Sequence, residues 1–364
     1  MKDKFNYKGC FLLAGAYISY CIGSGFTTGM DTLQYFAGFG VWGFAALILG
    51  LCIHAYTATS FLKLGLEQQF KSNLQVYEYY TNLVLGKCLL GFLIVFTFLS
   101  ATVMVSGFGA SLKQNFGLDP IFGNALMAIL CIITILLGLK KIVDILGTLA
   151  PLLIIVTLFT AIYFITQNHE GFMHGMKIAP TMDTLKLGAT WVDSGINFAS
   201  WAPLVTAPFL TSVAPKFIRT KKEAAFGAIT GVILYGLAIA AVLVAFFCDF
   251  QSISESEVPM LTMASIISQL FGMLYIGVTC IGIYTSAVPE FLMFCTSFHA
   301  EGTKKYKIFS VCAIVASTIL TTLLPFGTVY NYVYLAAGYL GWIIIAAVVY
   351  KNIKIKCTQK SRQE

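Results

Sequence analysis

The chain has 364 residues, of which 58% are hydrophobic and only 11% are charged, and its mean hydropathy is +0.83. Soluble domains contain about half apolar and about one-quarter charged residues, so this composition excludes a water-soluble fold. The net charge of +7 does not indicate a nucleic-acid partner, because the basic residues lie in short clusters between apolar runs. We therefore expect one membrane domain whose surroundings are the lipid bilayer.

Ten apolar stretches are long enough to cross a membrane, since a spanning helix needs about 20 apolar residues. The stretch from 258 to 298 exceeds one span, and we expect residues Val258 to Leu270 to form a short helix outside the membrane. The predicted spans cover residues 9 to 38, 41 to 62, 88 to 112, 120 to 139, 142 to 166, 186 to 211, 224 to 248, 271 to 298, 308 to 325 and 330 to 350.

The basic residues set the orientation, because positively charged flanks stay in the cytoplasm. With the N-terminus inside, 20 of the 23 Lys and Arg residues fall in inside segments, which places both termini in the cytoplasm of a cell-membrane protein. Span 1 then runs outward and span 6 inward. The sequence thus predicts an all-α integral membrane protein of ten transmembrane helices in two inverted five-helix repeats. The repeats cover about 9–166 and 186–350 of a single domain, 1–364.

In transporters built from inverted repeats, the substrate lies near the midplane, where the first helix of each repeat is broken. Span 1 carries Gly23, Ser24 and Gly25 at its centre, and each glycine in a helix costs about 1 kcal/mol relative to alanine. A break there would free the carbonyls around Ser19 to Ile22 and aim the positive end of the next half-helix at the same place. The alternative is a small-residue seam for close helix packing.

Span 6, in the corresponding place of the second half, also has a cluster of polar residues and glycine, followed by Pro203 and Pro208. We expect this span to be broken as well. Asp193 is either a substrate-facing or proton-carrying group or a residue of a water-filled vestibule. The predicted substrate-binding residues are Cys21, Gly23, Ser24 and Gly25 in span 1 and Asp193, Ser194, Gly195, Asn197 and Phe198 in span 6.

Span 8 places two adjacent hydroxyls, Thr285 and Ser286, one turn from Gly282. Hydroxyl and carbonyl oxygens are the ligands that small hard cations prefer. The alternative is that both hydroxyls donate to the carbonyl one turn back.

These motifs carry a resemblance. Y-I-S-Y-C-I-G-S-G-F in span 1 and the T-S pair behind G-I-Y in span 8 resemble the neurotransmitter:sodium symporter family and the wider LeuT-fold transporters. With A-G-A-Y-I-S-Y-C-I-G-S-G and A-G-F-G-V-W-G, nearly the whole chain resembles the bacterial YkvI-type membrane proteins.

The resemblance implies a LeuT-like fold with broken helices 1 and 6. It also implies a sodium site formed by the carbonyls of Ser19 and Ile22 with Gly282 and the hydroxyls of Thr285 and Ser286. Two departures matter. The symporters have a sodium-binding asparagine where this chain has Phe26 and an outer-gate arginine where it has Gly29, Met30 and Asp31, so neither their other sodium site nor their gate is expected here.

The function expected from these features is sodium-coupled symport of a small organic solute, an amino acid or related compound, by alternating access. Two alternatives stay open: a proton-coupled carrier in which Asp193, His54 or Glu290 titrates, and a transporter-like nutrient sensor without net transport. No nucleotide-binding, zinc, haem or nucleophile motif is present, so we expect no enzyme and no cofactor other than sodium as coupling ion. The sequence leaves the oligomeric state open.

Overall fold

Helices form all the regular secondary structure in the part of the chain that the structure, a computed structural model, describes: residues 5–70, 72–137 and 139–360, with side chains except at 73, 139–151 and 359–360. Three short 3-10 turns accompany them. The helices are α1 (Tyr7–Cys21), α2 (Ser24–Thr28), α3 (Met30–Tyr35), α4 (Trp42–Glu67), α5 (Asn73–Tyr80), α6 (Leu83–Phe116), α7 (Pro120–Leu137), α8 (Leu139–Asn168), α9 (Phe172–Ile178), α10 (Trp191–Phe217), α11 (Lys221–Cys248), α12 (Phe250–Ser254), α13 (Pro259–Ile267), α14 (Gln269–Thr296), α15 (Lys304–Leu320) and α16 (Phe326–Lys360).

Within the described ranges, seven helical segments are long and apolar enough to cross a membrane: α4, α6, α7, the segment Leu152–Thr181 that joins the end of α8 to α9, α11, α14 and α16 as far as Thr358. Every predicted span falls on one or more helices. The first, sixth and ninth are missing from the seven. Helices α1 and α15 have only 15 and 17 residues, and α10, with 27 residues, is long enough but not apolar enough. The fourth and fifth spans were predicted to meet between residues 139 and 142, whereas α7 ends at Leu137 and α8 begins at Leu139; residue 138 lies outside the described residues.

The first span is broken where the sequence predicted. Helix α1 ends at Cys21, and the backbone of Ile22 and Gly23 is extended before α2 begins at Ser24. A second interruption follows at Gly29, whose φ of 87° lies in the left-handed region that only glycine adopts readily. The span therefore consists of three helical pieces.

The sixth span is not broken, and the prediction of a break there was wrong. Helix α10 is continuous from Trp191 to Phe217. The polar cluster marks the start of the helix, because the Thr190 hydroxyl accepts a hydrogen bond from the Asp193 N–H at 3.2 Å. Gly195 lies against the backbone of Ala46 in α4, where a side chain would not fit. In this span the glycine serves close packing.

Helix α10 also tolerates three internal prolines, each of which removes a backbone N–H. The carbonyl that Pro208 would leave without a donor is that of Leu204, and the Tyr77 hydroxyl donates to it. One residue on, the Tyr20 hydroxyl donates to the Val205 carbonyl at 2.9 Å. Side chains from other segments thus satisfy this backbone, as a membrane interior requires.

The long apolar stretch before the eighth span splits as predicted. Helix α13 ends at Ile267, and Ser268 begins α14 by accepting a hydrogen bond from the Phe271 N–H at 3.0 Å. Helix α13 packs against α14 and α2.

One end of the molecule collects the start of α1, the end of α10 and the start of α11. The Glu223 carboxylate accepts from the Asn6 N–H at 2.9 Å, and the Asn6 amide donates to the Phe217 carbonyl at 3.0 Å. An ion pair between Lys221 and Glu67 brings the end of α4 to the same place. We call this the basic end.

We predict that Gly195→Ala destabilises the protein by about 1–3 kcal/mol, the usual cost of overpacking. The added methyl would lie 2.6 Å from the Ala46 carbonyl oxygen, and neither helix backbone can yield. The melting temperature can be followed in detergent with a thiol-reactive dye, because buried thiols such as Cys10 and Cys131 react only on unfolding.

Gly277→Ala in α14 is the matched control. No atom lies within 4 Å of the added methyl, so this change should leave the melting temperature equal or higher. A Gly195→Ala protein that melts with the wild type would contradict the packing role.

Candidate substrate and cation site

A cavity of about 590 Å³ lies beside the break in the first span. Small-molecule sites typically enclose about 300–1,000 Å³. Residues from α1, α2, α3, α6, α8, α10, α14 and α16 line it. It therefore lies where segments from both halves of the chain meet.

The cavity extends from the break toward the basic end. Its lining runs back along α1 to Ala16 and forward along α10 to Phe209, and both directions lead to that end. On the opposite side α2 is covered, since the Tyr275 hydroxyl donates to the Thr27 carbonyl at 3.1 Å and Gly29 lies against Phe246.

The predicted residues of the first and eighth spans come together on this cavity. All of them line it: Ser19, Cys21, Ile22, Gly23, Ser24, Gly25, Gly282, Thr285 and Ser286. They come from positions more than 250 residues apart in the sequence, so the fold, and not chain proximity, assembles them.

One hydrogen bond joins the break to the eighth span: the Ser24 N–H donates to the Ser286 Oγ at 3.1 Å. The Thr285 and Ser286 hydroxyls both donate to the Gly282 carbonyl at 3.0 Å. Their protons are thereby directed away, leaving an oxygen lone pair on each. Among the described residues, no hydrogen bond reaches the carbonyls of Ser19 or Ile22. The Gly282 carbonyl acts by orienting the two hydroxyls.

The predicted residues of the sixth span do not line this cavity. Asp193 Oδ2 accepts from the Ala189 N–H at 2.8 Å and from the Tyr339 hydroxyl at 2.9 Å. The Ser194 hydroxyl donates to the Tyr35 carbonyl at 2.6 Å. Both side chains fix the start of α10 to neighbouring segments.

Asn197 has a similar place. Its amide nitrogen donates to the Leu187 carbonyl at 3.0 Å, and its oxygen accepts from Trp342 Nε1 at 2.8 Å. Phe198 is fully buried among other rings, and Gly195 packs on α4. In the structure these residues therefore form hydrogen bonds and packing contacts with neighbouring segments, and none of them lines the cavity.

Two carboxylates line the cavity, Asp31 and Glu290, and a chain of side chains connects them. The Tyr330 hydroxyl donates to Asp31 Oδ1. The ring of Tyr330 stacks on Tyr334 at 4.4 Å, whose hydroxyl lies 3.2 Å from Ser100 Oγ, and Ser100 donates to Glu290 Oε1 at 2.9 Å.

Sequence reasoning gave Glu290 little weight and did not single out Trp201, Tyr334 or Asp31 as site residues. The signal for the carboxylates was available, since an ionisable residue within an apolar run is by default a functional candidate. Nothing in the sequence separates Trp201 and Tyr334 from the many aromatic residues that contact lipid or core.

Among the described residues there is no group of three or more His, Cys, Asp and Glu side chains that could hold a metal ion. The residues at the break and the two acidic residues provide oxygen atoms on this cavity that could contact a cation.

We compared the chain with protein families, curated sequences and solved structures. No protein-family model matches the chain. It is 20% identical over 347 residues to the uncharacterized membrane protein YkvI of Bacillus subtilis strain 168, covering 93% of this chain and 95% of YkvI. It is 25% identical over 272 residues to YyaD of the same organism, covering 74% of this chain and 76% of YyaD.

Two solved structures are similar along most of the chain. The inward-facing conformation of Mhp1 gives a TM-score of 0.63 at 12% identity, covering 93% of this chain and 76% of Mhp1. A mutant of the Eremococcus coleocola manganese transporter gives 0.58 at 13% identity, covering 96% and 80%. Such likeness shows the fold, and both neighbours are transporters, not enzymes.

The resemblance expected from the sequence is thus confirmed: the chain is a multi-pass membrane protein similar to YkvI, and its fold is the LeuT fold of secondary transporters.

Proposed function

We propose that the chain is a sodium-coupled symporter of a small organic solute, an amino acid or related compound, that works by alternating access. The observation that carries this proposal is the cavity at the break of the first span, where unpaired carbonyls and two oriented hydroxyls meet. No element of the proposal requires a catalytic group.

The proposal includes ten spans in two inverted repeats. Support comes from three helix contacts that recur when the halves are exchanged. Helix α10 packs on α4 as α1 packs on α11, α6 packs on α7 as α14 packs on α15, and α16 packs on α6 as α8 packs on α14. Two five-helix units of opposite topology would produce these pairs.

The basic end is proposed to face the cytoplasm, with both termini there. The Lys and Arg bias of the sequence supports this orientation, although Lys2, Lys4, Lys71 and Arg362 lie outside the described residues. The cavity would then open inward, and the covered side of α2 would face outward.

Sodium is proposed to bind between the break and α14. Its ligands would be the carbonyl oxygens of Ser19 and Ile22 and the hydroxyl oxygens of Thr285 and Ser286, with Gly282 orienting the hydroxyls. Neutral oxygens at a broken helix suit a hard monovalent cation. Each sodium ion entering the cell gains about 2.3 kcal/mol per 100 mV of membrane potential, which is available for concentrating the solute.

We predict that sodium, and not potassium, raises the melting temperature of the purified protein, because an ion bound to the folded state stabilises it. Thr285→Ala and Ser286→Ala should each raise the half-saturating sodium concentration at least about tenfold, a loss of about 1.4 kcal/mol. The same variants should lose sodium-driven uptake of a labelled mixture of amino acids and amines into proteoliposomes.

Thr296→Ala is the matched control, since Thr296 also donates to a carbonyl of α14 one turn back, the Leu292 oxygen, but lies away from the cavity. Equal stabilisation by potassium would contradict the assignment of a sodium site. Unchanged sodium dependence in both Thr285→Ala and Ser286→Ala would also contradict it.

Proton coupling is the second candidate mechanism. One observation favours Glu290 as the residue that would carry the proton. Of the three residues considered from the sequence, Glu290 alone lines the cavity. His54 is buried with its Nδ1 atom 2.8 Å from the Tyr17 hydroxyl, and the Asp193 carboxylate is held at the start of α10.

If protons drive transport, uptake of the same mixture without sodium should follow an imposed pH gradient, and Glu290→Gln should abolish it. Glu255→Gln, at an exposed position, makes the same chemical change as a control. Sodium-free uptake that is absent, or that survives Glu290→Gln, rejects Glu290 as the proton carrier.

A further inference from the structure

The cavity at the break is lined by acidic side chains without a basic partner. Asp31 and Glu290 line it, and none of its lining residues in the described part of the chain is Lys, Arg or His. Asp31 is 5% exposed, and carboxylates withdrawn from water are costly unless a positive partner or hydrogen bonds compensate them.

The Glu290 carboxylate is only half satisfied. Ser100 donates to its Oε1 atom at 2.9 Å, whereas its Oε2 atom is buried and has no hydrogen-bond partner. The indole Nε1 of Trp201 on the same cavity is likewise buried without a partner. The unpaired Glu290 oxygen calls for a ligand that donates an N–H hydrogen bond, and the apolar and aromatic lining calls for a ligand with an apolar body.

Aromatic rings form the wall around this carboxylate. Trp201 and Tyr334 meet edge to face at 5.7 Å, and Tyr20 and Phe209 stack at 4.3 Å; all four line the cavity. Aromatic faces attract ammonium groups, while the ring carbons offer apolar area to the rest of a solute.

A substrate carboxylate fits poorly at the start of α2. The Ser24 N–H already donates to Ser286, and the Asp31 carboxylate lies against Gly25, so a second negative charge there would meet the first. The acidic side chain beside it therefore disfavours a substrate carboxylate at the positive end of this helix.

We propose that the substrate is a small primary amine, an organic cation whose ammonium group binds the Glu290 carboxylate and whose apolar body lies between Trp201 and Phe209. This inference rests on the proposed function as a transporter and, among amino acids and related compounds, selects amines that lack a carboxylate. A transition-metal ion is disfavoured because the described residues hold no cluster of three or more metal-binding side chains.

The test is ligand-dependent thermal stabilisation of the purified full-length protein at neutral pH and fixed sodium concentration. Primary amines of increasing size, from methylamine to phenethylamine, are each compared with the alcohol in which hydroxyl replaces the amino group. Phenylalanine and Mn²⁺ complete the panel. We expect stabilisation by at least one amine, at a concentration at least about tenfold lower than its alcohol requires.

Glu290→Gln keeps the shape of the side chain and removes its charge, and should weaken amine binding at least about tenfold. Glu255→Gln removes an exposed carboxylate and should leave it unchanged. Trp201→Leu should weaken binding several-fold, and Trp42→Leu, at a 57% exposed tryptophan, should not. The melting temperature of each ligand-free variant verifies folding, and Trp201→Leu tests the site independently if Glu290→Gln does not fold.

Stabilisation by phenylalanine, by an alcohol or by Mn²⁺ in preference to every amine would overturn the proposal. Amine binding that is unaffected by Glu290→Gln and Trp201→Leu, or no stabilisation by any amine, would also overturn it. Failure of the proposed function is distinguishable, because amines would then bind as expected without being accumulated in proteoliposomes. Accumulation of an uncharged solute instead would retain the transporter and reject the amine.

Discussion

The hydrogen bond between the Ser24 N–H and the Ser286 hydroxyl is the contact on which the site depends. A helix interrupted inside a bilayer must satisfy its backbone groups elsewhere, and here a side chain 262 positions away supplies the acceptor. The carbonyls of Ser19 and Ile22 on the other side of the interruption have no hydrogen-bond partner among the described residues, and both residues line the cavity. The need to satisfy the backbone of the broken helix thus explains both the contact between the two halves of the chain and the unpaired oxygens beside it.

The sequence predicted the break in span 1 because Gly23 and Gly25 flank a serine in an otherwise apolar helix, and it predicted the split before α14 from length alone. It failed at span 6, where Asp193 to Asn197 have the same composition. Depth along a span is poorly defined by hydropathy, so a capped helix start and a mid-helix break give similar patterns. Only the three-dimensional contacts of Thr190 and Ala46 distinguish them. The aromatic wall at Trp201 depends on long-range packing that no local pattern encodes.

Helix α14 carries both neutral hydroxyl oxygens and a carboxyl group on the face that lines the cavity. Ser286 and Glu290 are four residues apart, one helical turn, so the neutral oxygens and the carboxylate are held at a fixed spacing by a continuous helix. Asp31 lines the same cavity and is linked to Glu290 through Tyr330, Tyr334 and Ser100. Any displacement of α14 against the first span would change the surroundings of an inorganic ion and of an organic solute at once.

The two interruptions of the first span isolate α2 as a piece of five residues, about 7.5 Å long at 1.5 Å per residue. Torsion at Ile22 and Gly23 on one side and at Gly29 on the other can turn this piece without unwinding a residue of α1 or α3. Helix α2 therefore has a hinge at each end, so it can reorient without bending of the long helices around it.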